Sequence, residues 1–467
     1  MGRAPKFTAA GKIAMLISFP PTARLTLRLL RIALLPISLM ILFHSVLLAQ
    51  IEVDARVETI IKDLASNSSD KRRKAAEAAM DLSSKGQPVL EGLATALVKE
   101  DVPANKTALI RAIASFGGAA KNALWVLEKE LDDEATVQVA VDAIAIIAQQ
   151  APYSPELLKL TPRLTALIEN GSSTVKFRAI FTLQKIGPTA LAAVPILVKA
   201  TQDPEANIRW VSLATLAVLQ AKSKDVTEAA AARLKDPEKK IKSAAAFFMG
   251  GLQSGAPEIA ARALLLALPD PDNDVAGAMA SAIGDLNAEG QQVAIPLLQD
   301  IIKSADPTWK KQTAIAALGF IGKSAEPVVP DLLNTLANGA PAESYHAALA
   351  LAKISTAANV IDALIAATRD PRGQAREGAA SALGSIGPIA SAKSTTPLIA
   401  LLKDAVDGVR LAAAEAVGNL GASAKSALPV LITQLNDKDK AAAAKAIGNI
   451  DFAVRVCRDD EGQRNQG

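Results

Sequence analysis

VPILVKATQDPEANIRWVSLATLAVLQAKSKDV, Val194–Val226, is the stretch that decides the fold. It opens with Pro195, where a first helical turn loses nothing by lacking an N–H, and runs through an apolar turn to Asp203-Pro204, which stops the helix. A polar turn follows. Apolar or small side chains then recur at Ile208, Val211, Ser212, Thr215, Leu216 and Leu219, the i, i+3, i+4, i+7 spacing of one face of a second helix. Thr396–Ala427, TPLIALLKDAVDGVRLAAAEAVGNLGASAKSA, obeys the same grammar, with Pro397 at the opening, Asp404 at the stop and a stripe at Val409, Ala412, Ala413, Ala416, Val417 and Leu420. A third copy places Ala375, Gly378, Ala379, Ala382, Leu383 and Ile386 in that register. No unit alternates with period two, so the chain is all-α.

The stop residues recur: Asp203, Asp236, Asp270, Asp306, Asp370, Asp404 and Asp437 lie 33, 34, 36, 64, 34 and 33 residues apart, the 64 holding two repeats. Proline follows five of them and forces the turn. Leu-Gly or an equivalent closes many second helices, and a further glycine three residues on (Gly322, Gly387, Gly421) suits the left-handed position after a helix end. From Val57 to Ile450 the sequence therefore predicts a right-handed α-solenoid of about twelve stacked helical hairpins, one continuous domain over residues 51–450. At helix-packing distances it would extend on the order of 100 Å with a long concave face. Residues 151–162, APYSPELLKLTP, read as one enlarged inter-repeat loop.

These units resemble the HEAT family, in particular its short variant named after phycobilisome lyases, over about 85% of the chain. The resemblance implies a ladder of acidic and basic residues, six apart, that links successive repeats: Asp203 with Arg209, Asp236 with Lys242, Asp370 with Arg376, Asp404 with Arg410, and more loosely Glu100 with Lys106 and Asn170 with Lys176. The pattern lapses at Asp270 with Ala276, Asp306 with Gln312 and Asp437 with Ala443, where looser or more curved joints are expected. Each base has an acid nearby, so the row reads as structural and not as an anion-binding stripe.

Residues 1–49 hold six basic residues and no acidic one, and Ile32–Ala49 is an apolar run. This segment reads as a secretory signal cut near Ala49, with Met15 as an alternative start, or as a retained anchor only just long enough to span a bilayer. Either places the solenoid outside the cytoplasm, periplasmic or extracellular. Beyond residue 49 there remain 45 of the 51 basic residues against 47 acidic ones, a net of −2. Such a chain, only 3% aromatic, lacks the footprint of a nucleic-acid binder. Lys71–Lys74, KRRK, reads as a solvated helix face. Cys457 is the single cysteine, so no disulfide framework exists, and residues 451–467 form a polar tail. Asn67, Asn105 and Asn170 begin glycosylation sequons.

Catalytic constellations are missing. The two histidines, His44 and His346, cannot supply the His-Glu motifs on which deoxyhypusine hydroxylase, an enzyme of related fold, depends for iron, and no phosphate-binding loop motif occurs. His346 reads as a helix-face residue. No cofactor or metal is expected. Trp210 and Trp309 read as core filling, with exposed partner anchors as the alternative. The expected function is a non-enzymatic scaffold, exported or tethered, that holds a protein or peptide on the concave face. The alternative, a bilin-lyase-like chromophore-attachment enzyme, follows the resemblance literally.

Overall fold

The computed structural model describes residues 55–82, 87–251, 255–435 and 439–451, and no strand occurs among them. The apolar run 32–49, Asp437 and the tail 452–467 lie outside the described residues. Contacts divide the chain into two compact units, residues 1–156 and 157–467. The division falls inside 151–162, which is less of a loop than its prolines suggest: Pro155–Lys159 is a short helix that buries Leu157, and Tyr153 takes the positive φ of 67° that lets the chain enter it.

In each unit, helices pair into hairpins and like helices of successive hairpins pack side by side. Local chemistry sets the boundaries. Ser172, Ser223, Asp272 and Asn287 cap second or first helices by accepting hydrogen bonds from N–H groups two or three residues ahead. Gly187, Gly322, Gly387 and Gly421 end second helices at φ between 59° and 81°, the left-handed region that only glycine enters freely. The repeat holding Pro397 differs from expectation. Its helix begins at Ser391 and carries Pro397 inside, because the residues ahead of the ring form α-helix where other repeats have a short 3₁₀ segment.

The core is built from Ala, Leu, Ile and Val. Its closest approaches come from the glycine of the Leu-Gly pair, which lies within the last turn of the second helix rather than beyond its end. A Cβ on Gly250 would meet the Ala282 backbone at 2.6 Å, on Gly284 the Phe320 Cβ at 2.5 Å, and on Gly384 the Ala416 Cα at 2.6 Å. Each of these glycines admits the next second helix.

Gly284→Ala should therefore lower the unfolding free energy by about 1–3 kcal/mol through overpacking. Gly277→Ala, where a Cβ meets nothing within 4 Å, should be neutral or stabilise by up to about 1 kcal/mol through helix propensity. Urea unfolding of the two variants checks the contrast.

Candidate functional site

The turn between the two helices of a hairpin carries the charged ladder, and its geometry is best seen at Arg209. Nη1 of Arg209 donates to the carbonyl oxygens of Asp203 at 3.0 Å and Pro204 at 2.8 Å, in its own turn. Nε and Nη2 donate to the carboxylate of Asp236, in the next turn, at 2.8 and 2.9 Å. Asp236 in addition accepts from the N–H of Glu238 at 3.1 Å, which folds its own turn. The base six residues after an acid thus uses that acid's backbone, while its carboxylate partner lies 27–29 residues ahead.

The same rung recurs. Arg72 forks onto Glu100 at 2.7 and 2.9 Å, and Arg376 onto Asp404 at 2.7 and 2.8 Å. Lys242 reaches Asp270 at 2.6 Å, Lys176 reaches Asp203 at 3.4 Å, and Lys106 reaches Asp133 at 2.9 Å. Arg410 meets Asp439 at 2.6 Å. The Arg72 guanidinium holds the Glu100 carboxyl down at about 2. Burial pushes the Asp236 carboxyl up, but the Arg209 hydrogen bonds and the N–H of Glu238 more than offset it, so the net shift is downward.

Where the base is missing, the structure does one of two things. Ser344 occupies the base position of its repeat, and there Arg372 arrives from the following turn. It binds Asp370 at 2.6 and 2.8 Å and reaches back to the carbonyl oxygens of Leu336, Ala337 and Gly339 and to Ser344 Oγ. The guanidinium fills the usual place from the opposite side. At Ala276 nothing replaces it, and the shorter turn after Asp306 puts Lys311, not Gln312, at the ladder position of its repeat, with Asn338 in place of a carboxylate in the next turn. The Asp306 carboxylate, the acceptor Ala276 would face, turns to its own Ser304 Oγ at 2.8 Å and Lys310 Nζ at 2.9 Å.

Beside the ladder runs a second register. With the ladder position counted as zero, residues +1, +5 and +9 of the second helix face outward. In the first unit these are polar, such as Arg73, Glu77 and Asp81, or Thr107, Arg111 and Ser115. In the second unit they include Phe177, Phe181 and Lys185, then Trp210, Ala214 and Val218, then Phe247, and later Tyr345, Leu349 and Lys353. Phe320 holds the +9 place of its helix, counted from Lys311, and Trp309, at −2, is likewise exposed. Trp210 is 43% exposed, Trp309 49% and Phe247 74%. Core filling by the two tryptophans is thereby overturned: the buried stripe is 208, 211, 212, 215, 216 and 219, and position 210 falls between its members. Among the described aromatic residues only Phe116 and Phe248 are buried. Lys185 lies 4.8 Å from the centre of the Phe181 ring and Lys353 4.4 Å from that of Phe320, so cations rim the row.

The remaining candidates are ordinary. His346 packs edge-on against Tyr345 at 5.3 Å, and burial holds it below its usual range. No cluster of metal-ligating side chains occurs among the described residues, and no helix among them is long and apolar enough to cross a membrane. Of the KRRK residues, Arg72 belongs to the ladder, while Arg73 and Lys74 pair with Asp70 on their own helix. Asn105 is buried and donates to Ser69 Oγ at 2.9 Å and Glu100 at 3.2 Å, which removes it as a sugar acceptor.

Stacked hairpins locked turn to turn define a helical-repeat protein. Residues 329–418 match the family model of HEAT repeats and residues 409–437 that of the PBS lyase HEAT-like repeat, so this part of the chain is built of HEAT repeats. No curated protein matches it. Among solved structures, Kap121p is 15% identical with a TM-score of 0.59 over 86% of this chain and 50% of its own. Importin beta is 14% identical with a TM-score of 0.54 over 85% of this chain and 66% of its own. Kap121p bound to the extreme C-terminus of the protein phosphatase Cdc14p is 17% identical with a TM-score of 0.50 over 85% and 45%. The chain spans about half the length of Kap121p, and at these identities the likeness is one of fold.

Because the folded Glu100 carboxyl titrates at about 2 against an ordinary 4.5, the unfolded chain binds its proton first as pH falls. This stabilisation is complete above pH 4.5 and fades towards pH 2, amounting to about 2–3 kcal/mol. Thermal unfolding followed from pH 6 to pH 2 should show that loss, and Glu100→Gln should flatten the profile while lowering stability at pH 6.

Proposed function

We propose that this protein is a non-enzymatic interaction scaffold, exported or tethered to a membrane through residues 32–49, which holds a protein or peptide against the outward face of its second helices between Phe177 and Tyr345. One observation carries the reading: in a chain poor in aromatics, most of the described rings are kept out of the core, and Phe177, Phe181, Trp210, Phe247, Phe320 and Tyr345 lie on the outward register of second helices in one unit. Large exposed aromatic side chains offer apolar contact area at little cost in side-chain entropy and dominate binding at interfaces. The ladder bases beside the row are consumed by carboxylates, so the row acts through apolar contact and not as an anion-binding stripe. The partner accordingly presents an apolar segment. The solved relative that holds the extreme C-terminus of another protein supports a peptide-like occupant on this fold. The basic, acid-free n-region followed by an apolar run supports export.

The test uses the source cell. Its envelope fraction should yield the protein with a new N-terminus near Gln50, or intact in the membrane. That fraction, passed over immobilised wild-type protein and over the Trp210→Ala, Trp309→Ala double variant, should contain a protein that the variant binds at least about tenfold more weakly. Equal capture by both forms would contradict the aromatic face, and an intact chain in the cytosol would contradict export.

A further inference from the structure

The ladder is interrupted at two successive joints of the second unit, and those joints lie under the aromatic row. On the N-terminal side, Lys176–Asp203, Arg209–Asp236 and Lys242–Asp270 tie each turn to the next. On the C-terminal side, the reversed Arg372 rung, Arg376–Asp404 and Arg410–Asp439 do so again. Between them the ladder position, the fourth residue of each second helix, is Ala276 in one repeat and Lys311 in the next, and the acid position that Lys311 would face is Asn338. Neither Ala276 nor Lys311 donates a hydrogen bond across its joint among the described residues, and Asp306, the carboxylate next in line, is satisfied within its own turn by Ser304 and Lys310. The first helices add a tie at only one of the two joints, where Asp331 takes Gln299 at 2.5 Å and Lys303 at 3.2 Å. No ion pair among the described residues crosses from hairpin 257–284 to hairpin 288–321.

At the far end of the same second helices the contact is tight. Gly284 lies against the Phe320 backbone, where a Cβ would come within 2.8 Å, and Gly319 lies against the Ala350 Cα, where it would come within 3.1 Å. Each joint is therefore close at the C-terminal ends of its second helices and untied at the turns. That arrangement permits rotation about the glycine contact, whereas a bidentate rung at the turn forbids it.

We infer that the second unit contains a hinge between residues 270 and 340, made by deleting two rungs of the ladder, and that it sets the separation of the aromatic side chains on either side. Phe177, Phe181, Trp210 and Phe247 stand on the N-terminal side of the first bare joint, Trp309 and Phe320 between the two, and Tyr345 beyond the second. A partner lying along the row selects the bend that suits it. This role rests on the binding reading, whereas the hinge itself stands on the ladder alone and is measured without a partner.

Full-length protein carrying Cys457→Ser takes pairs of spin labels at exposed sites. Leu266→Cys with Ala337→Cys spans both bare joints; Gln202→Cys with Leu266→Cys spans two joints with rungs. Distance distributions from pulsed electron resonance should be at least about twofold broader for the first pair than for the second. Adding Ala276→Arg, whose guanidinium would face Asp306, should narrow the first distribution towards the second. Asn338→Asp, which gives Lys311 a carboxylate in the next turn and so rebuilds the other rung, should also narrow it. Equal widths in the parent protein, or a width that neither rebuilt rung changes, would overturn the hinge. Loss of partner binding in the tryptophan variant with these widths unchanged would leave the hinge standing, and the reverse result would remove the hinge alone.

Discussion

A guanidinium held between two turns is the contact on which the rest depends. Arg209 satisfies two backbone carbonyl oxygens that the helix end leaves open and forks onto the buried carboxylate of Asp236, which Arg233 of its own repeat also meets at 3.2 Å. A buried ion pair gains little over an apolar pair of similar shape unless every donor and acceptor is used. Here they are used: the carboxylate folds its own turn and receives the preceding base in one arrangement. Arginine does this with a planar fork and four contacts, whereas the lysine rungs at Lys176 and Lys242 tie carboxylate to ammonium without reaching back to the carbonyls. The ladder therefore varies in stiffness from joint to joint, and sequence sets that variation.

Close stacking has a second consequence. Second helices that meet through glycine and alanine leave no room for rings, so the core takes small and branched aliphatic residues and the rings that remain go outward. In the first two repeats of the first unit the outward register is polar or charged. In the second unit it carries aromatic side chains in several repeats from Phe177 to Tyr345, with Gly277, Ser281 and Asp285 in the repeat of Ala276, and it is polar at Glu377 and Ser381. The same stretch lacks two rungs, so the surface and its compliance coincide along the chain.

Much of this was legible in the sequence. The stripe at Ile208, Val211, Ser212, Thr215, Leu216 and Leu219 is the buried face, and Gly322, Gly387 and Gly421 take the left-handed conformation their positions called for. The exposure of Trp210 is legible as well, since it stands beside Arg209 and outside the stripe. The true carboxylate partner of each base was harder to see. Spacing within one repeat places Asp203 near Arg209, but only stacking shows that the side chain points forward to Asp236. The reversed rung at Arg372 was not legible at all, because nothing local distinguishes an arginine two residues after an aspartate as a replacement for one missing a repeat earlier. The glycine of the Leu-Gly pair reads as a terminator because helix ends favour glycine, while its packing role shows only once the neighbouring repeat is in place.

The central claim is that a base and the acid of the next repeat act as one unit that locks successive hairpins. A double-mutant cycle on Arg209→Met and Asp236→Asn, read by urea unfolding, measures it directly. The account predicts a coupling energy of about 1.5–3 kcal/mol, with either single variant costing nearly as much as both. Additive effects, with coupling below about 0.3 kcal/mol, would show that the hairpins are held by apolar stacking alone and would contradict the ladder as their lock.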